Sequence, residues 1–168
     1  MSKPVLVSIM MGSDSDLIAM QDAGKILDEF GVGYEFKISS AHRSPDQAAA
    51  YIKELLPRGF QVVIAAASYS AHLPGVTAGN TILPVIGVPL DASPLKGLDA
   101  ALAMGQMPPG IPVATMTIGK AGVKNAAYFA LEILALKDAV LKTALIKYRK
   151  NLGEAVEAKN KDLPRGDK

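Results

Sequence analysis

The chain of 168 residues has no cysteine and no tryptophan. Disulfide frameworks, thiol nucleophiles and thiolate metal sites are therefore excluded. Only two histidines occur, His42 and His72, and neither sits in an HExxH-like pattern, so no dedicated metal site is expected. No apolar run approaches the ~20 residues that span a bilayer. Residues 1–9 lack the regions of a secretory signal. These absences predict a soluble, cytoplasmic protein without a membrane partner.

Aromatic residues make up 5% of the chain, too few to interleave a basic stripe as in many nucleic-acid binders. Net charge is only +2. It is uneven, with nine Lys/Arg against five Asp/Glu in residues 137–168 and nine against eleven before them. The basic end alternates charge with apolar residues, which reads as a solvated helix face, and no nucleic-acid partner is expected. Hydrophobic residues at 49% and charged residues at 20% fit one globular domain.

Strand and helix signals alternate along the chain. Val5 to Met10, Tyr34 to Ile38, Gln61 to Ala67, Pro84 to Val88 and Ile111 to Ile118 read as strands. Helices are predicted from about Leu17 to Phe30, Pro45 to Leu56, a short one opened by Leu73-Pro74, Pro94 to Met104, and Ala121 to Ala135. Ser44-Pro45-Asp46-Gln47 has the form of a capping box, with proline at the first helical position. Short apolar strands between helices imply right-handed βαβ units and a parallel sheet covered on both faces. Beyond about Ala135 a further helix is expected, with Leu141, Leu145, Tyr148, Leu152 and Val156 along one face.

In such a sheet, ligands bind at the carboxyl ends of the strands. The loops after the first three strands read GSDSD, SSAHRSP and SYSAHLPG. They hold both histidines, Arg43 and two carboxylates, whereas the opposite rim carries mainly turn residues. Ser13 and Ser15 offer hydroxyls near a helix amino end, which suits a phosphate; plain capping by Asp14 or Ser15 is the alternative. Asp16 is one acid more than a cap needs and suits sugar hydroxyls. Arg43 precedes a helix start and favours an anion, unless it is simply a surface arginine. His42 is the best acid/base candidate, because imidazole titrates near neutrality. His72 either binds ligand or caps the next helix. Ser68, Tyr69 and Ser70 can meet a polar ligand, or Tyr69 can merely pack. The residues point to a phosphorylated, sugar-bearing small molecule and an acid/base histidine, without naming a reaction.

GSDSD, SAHRSP, AHLPG, PVIGVP, QMPPGIPVAT and IGKAGVKNAA, in that order from about Val5 to Leu136, resemble the class I 5-(carboxyamino)imidazole ribonucleotide mutase family of purine biosynthesis. The resemblance implies an α/β flavodoxin-like three-layer sandwich with a five-stranded parallel sheet and a projecting carboxyl-terminal helix. It divides the chain into a catalytic part, 1–136, an oligomerisation helix, 137–160, and a frayed tail, 161–168. It implies a carboxyl shift from an exocyclic nitrogen to imidazole carbon 4. His42 would be the proton carrier, while Ser13, Asp16 and Arg43 would bind the ribonucleotide and His72 would support the heterocycle. The matching motifs also bring Asp14, Ser15, Ser40, Ala41, Ser70 and Leu73 into the expected substrate-binding set. No cofactor, metal, biotin or ATP is implied, and the implied assembly is a homo-octamer. One departure stands out: the family usually has a glycine-rich turn before AHLPG, and here that stretch is Ala66, Ala67, Ser68, Tyr69 and Ser70. The alternatives are direct carboxylation of the aminoimidazole ribonucleotide and, more remotely, an electron carrier holding flavin mononucleotide.

Overall fold

The structure is a computed structural model that describes residues 4–161, 163 and 164. Strands β1 (Val5–Met11), β2 (Gly33–Ile38), β3 (Val62–Ala67), β4 (Val85–Pro89) and β5 (Ala114–Thr115) form one parallel sheet in the order β2-β1-β3-β4-β5. Helices α1 (Leu17–Glu29), α2 (Pro45–Leu55), α3 (Leu73–Ala78), α4 (Leu98–Gly105), α5 (Lys120–Leu134) and α6 (Ala139–Lys161) flank it. This is the flavodoxin-like order, in which the direction of winding reverses between β1 and β3.

The central strands feed two cores at once. Successive side chains point to opposite faces, so Val62, Ile64 and Ala66 pack with α1 and α5, while Val63, Ala65 and Ala67 join the α2, α3 and α4 side. Burial on both faces explains why β3 reads as the unbroken run VVIAAA. Edge strand β2 is only half-buried. Gly122 lets α5 start close beneath the strand it follows, since a Cβ there would overlap the Thr117 carbonyl at 1.7 Å. Among the described residues no helix is long and apolar enough to cross a membrane.

Three sequence expectations need correction. The fifth strand, read as Ile111 to Ile118, pairs only at Ala114 and Thr115. Pro112 has no N–H to donate to a ladder, and the chain leaves the sheet after Met116 bonds to Gly87. Helix α4 starts at Leu98 rather than Pro94, because Lys96 and Gly97 are left-handed, at φ +54° and +84°, which no helix can include. The capping box of α2 does not form: the Ser44 side chain donates back to the Ser40 carbonyl at 3.2 Å and leaves the helix amino end open.

The stripe on α6 divides. Asp138 caps the helix by accepting from Val140 and Leu141 N–H at 2.9 Å, which folds its first turns back onto the domain. Leu141 and Leu145 are buried in the α1/α5 core. Tyr148 stacks on Tyr128 at 4.8 Å and meets Phe30 edge-on at 5.8 Å. Leu152 and Val156 stay exposed, at 48% and 57%. Of the tail expected to fray, Lys161 still belongs to α6, while residues 162 and 165–168 lie outside the described residues.

Candidate active site

The carboxyl ends of β1, β2 and β3 surround a cleft of about 680 Å³. A larger groove of about 1040 Å³ lies at the opposite rim, with Leu56, Ile82, Ile111, Phe129 and Ile133 among its walls. It is apolar and holds neither histidine, so size does not decide which hollow carries chemistry.

Two loops meet in the cleft through their imidazoles. His42 Nε2 and His72 Nδ1 stand 2.8 Å apart, with the rings nearly perpendicular at 79°. One nitrogen must donate and the other accept. The contact therefore holds a neutral pair or one imidazolium, because two imidazoliums would set N–H against N–H. His72 occupies the cap position of α3 but makes no capping bond; its ring lines the cleft instead. Both rings are exposed.

The GSDSD loop makes a single 3-10 turn, Asp14–Asp16, before α1. Ser13 Oγ accepts weakly from Ser15 N–H at 3.4 Å and donates to Asp14 at 3.0 Å. Asp14 also accepts from Ser15 N–H at 3.0 Å. The Ser13 hydroxyl and these amide bonds hold the Asp14 carboxyl below its usual value. Asp16 turns inward and is buried. Burial raises its carboxyl above the usual value, with the Asp14 charge adding and a Ser13 backbone hydrogen bond opposing.

Arg43 lies across both loops. Its side chain donates to the Gly12 carbonyl at 3.3 Å, and its backbone N–H donates to Ser40 Oγ at 3.0 Å. The guanidinium thus stands beside the Asp14–Asp16 turn, where its charge favours an anion.

Residues 6–155 match the model of the AIR carboxylase family. The chain belongs to that family. It is 52% identical over 162 residues to N5-carboxyaminoimidazole ribonucleotide mutase of Pyrococcus horikoshii, covering 96% of this chain and 90% of that protein. The Bacillus subtilis protein of the same name is 49% identical over 151 residues, covering 90% and 93% of the two chains. The crystal structure of Treponema denticola PurE superposes with a TM-score of 0.87 at 27% identity, covering 95% of this chain and 99% of that one.

Within this AIR carboxylase relative, Ser13, Ser15, Asp16, Ser40, Ala41, His42, Arg43, Ser70, His72 and Leu73 all line the cleft. Asp14 is not among its walls; its carboxylate is spent on closing the turn. Sequence reasoning missed Gly12, Ala67 and Ala92, which also line the cleft. Small residues without polar side chains carry no chemical signal, and Ala92 arrives on the loop after β4.

The turn at Ser68-Tyr69-Ser70 is energetically costly. Tyr69 has φ +55°, a left-handed conformation that costs a non-glycine residue roughly 1–2 kcal/mol. Its hydroxyl donates to the Ala92 carbonyl at 3.1 Å, tying the β3 loop to the β4 loop. Ser68 Oγ is buried without a hydrogen-bond partner, the one such side-chain atom among the described residues.

Proposed function

We infer that the protein is a mutase that moves the carboxyl group of 5-(carboxyamino)imidazole ribonucleotide from the exocyclic nitrogen to imidazole carbon 4. The observation that carries this reading is the meeting of His42 and His72 in one cleft, at 2.8 Å, in a chain 52% identical to a protein of that name.

The bonds balance without any co-reactant. The carbamate N–C bond breaks, its electron pair stays on nitrogen, and the nitrogen takes a proton from His42. Carbon dioxide is released inside the cleft. The carbon 4 electron pair then forms the new C–C bond, and the carbon 4 proton returns to His42. One group acts as acid and then as base, which suits an imidazole with little tuning. His72 orients His42 and receives or supplies the shared proton. Held against the ring, carbon dioxide reacts at an effective concentration of order 10⁵ M or more, so recapture outruns escape. Arg43 and Ser13 take the phosphate, Asp16 takes the ribose hydroxyls, and Ser15, Ser40, Ala41, Ser70 and Leu73 complete the substrate walls.

The same reading makes the protein a cytoplasmic homo-octamer. Support comes from exposed apolar side chains away from the cleft: Ile82, Leu136 and Val140 are each more than 80% exposed, and Leu152 and Val156 extend the α6 stripe past its own domain. Ending the chain at Leu136 would remove the buried Leu141 and Leu145 and damage the core. Leu152→Glu with Val156→Glu spares them and is expected to shrink the assembly in sedimentation; an unchanged full-length monomer argues against the octamer.

Activity is tested by supplying 5-(carboxyamino)imidazole ribonucleotide, and separately aminoimidazole ribonucleotide with and without bicarbonate. Mutase activity predicts rapid turnover of the first and little of the second. Efficient, bicarbonate-dependent use of the second assigns direct carboxylation instead.

A further inference from the structure

We propose that Tyr69 is a substrate-binding residue whose ring forms the wall against which the imidazole ring of the ligand stacks. The proposal rests on the mutase reading of the cleft and names the group that selects the heterocycle.

Three observations converge on this side chain. Among the described residues, Tyr69 is the only phenol or phenyl ring lining the cleft that holds His42 and His72. It stays 55% exposed, so the ring is not there to fill the core. Its backbone is left-handed at φ +55°, where glycine would sit without strain and a tyrosine does not. A strained, exposed aromatic adds little to folding, and strain of this kind is held at sites where the side chain's placement matters. The adjacent Ser68 hydroxyl, buried and unpartnered, is a second unfavourable feature of the same turn.

The hydroxyl fixes where the ring stands. Its bond to the Ala92 carbonyl at 3.1 Å spans the carboxyl ends of β3 and β4 and holds the phenol along one side of the cleft. A flat aminoimidazole entering between this ring and the histidine pair meets a π-face already in position, so little ordering is lost on binding. A ribose phosphate, which has no π-face, gains nothing from it.

The test is titration calorimetry of the full-length protein with two ligands, 4-carboxy-5-aminoimidazole ribonucleotide and ribose 5-phosphate. Wild type, Tyr69→Phe and Tyr69→Leu are compared. Stacking predicts that Tyr69→Leu weakens the ribonucleotide about tenfold and leaves ribose 5-phosphate within about twofold. Tyr69→Phe keeps the ring and is expected to stay within about threefold of wild type for both ligands. Undiminished ribonucleotide binding by Tyr69→Leu overturns the proposal, as does an equal loss for both ligands. If Tyr69→Leu does not fold, Tyr69→Gly, free of backbone strain, replaces it with the same expectation. A wild-type protein that binds neither ligand overturns the mutase reading itself, an outcome distinct from failure of the Tyr69 assignment alone.

Discussion

His42 Nε2 lies 2.8 Å from His72 Nδ1, and this contact joins the β2 and β3 loops. It allows at most one positive charge across the two rings. Proton traffic at His42 is therefore coupled to the tautomer of His72. His42→Asn is expected to reduce turnover by at least ~10²-fold with a melting temperature close to wild type, because the ring is exposed. His72→Asn is expected to lose less activity and to move the pH profile of kcat, since it orients His42 without carrying the proton to substrate. Retention of more than a tenth of wild-type activity by His42→Asn would remove His42 from the proton-carrying role.

Arg43→Ala is expected to raise KM about 10–100-fold, the loss of a charge-assisted contact of roughly 1.5–3 kcal/mol. The informative comparison is between ribonucleotide and dephosphorylated riboside. Wild type is expected to prefer the ribonucleotide strongly and the variant much less. An unchanged preference would mean that the phosphate sits elsewhere.

Asp16 sets binding against stability. Burial raises its carboxyl in the folded chain, so the stability it contributes is present below the unfolded value and lost as pH rises through the folded one. At neutral pH the buried charge is a net liability. Asp16→Asn is expected to stabilise the fold at pH 7 by on the order of 1 kcal/mol while raising KM, and the stability gain is expected to fade towards pH 3. A destabilised variant at pH 7 would show that Asp16 is held by more than its surroundings indicate.

The sheet's outer corner has its own pH signature. The Tyr51 hydroxyl accepts from Ser8 Oγ at 2.8 Å and donates to Glu35 at 2.9 Å, and Arg58 pairs with Glu35 at 2.6 Å. Burial chiefly, with help from Glu35, raises the Tyr51 phenol from 10.0 to about 12. Between those values the unfolded chain releases the proton and the folded one keeps it, so stability falls as pH rises. Tyr51→Phe is expected to cost about 1–3 kcal/mol at pH 8, because Ser8 is left unpaired in the core. The gap between the two proteins should narrow from pH 10 to 12 in denaturant melts; a constant gap would refute the assignment.

Much of this was legible in the sequence, for identifiable reasons. β1, β3 and β4 are buried on both faces, so each reads as a short apolar run, and the helices between them force a parallel sheet. β5 was over-read because hydrophobicity reports burial and not pairing, and Pro112 ends the ladder on one side. The late start of α4 depends on the left-handed Lys96, whose identity announces no turn. The three loops were found because polar residues gather on one rim. The His42–His72 contact was not, because it links residues 30 apart through the winding of β1 and β3. On α6, periodicity revealed the stripe, but where the domain beneath it ends decides which half is covered.

The most direct test of the central claim is the fate of the migrating carbon. Substrate carrying ¹³C in its carbamate is turned over by the purified protein in unlabelled bicarbonate, and the product carboxyl is read by mass spectrometry. Transfer within the cleft predicts that most of the product keeps the label at carbon 4, whatever the bicarbonate concentration. Product that is largely unlabelled, with label dilution tracking added bicarbonate, would contradict an intramolecular carboxyl shift.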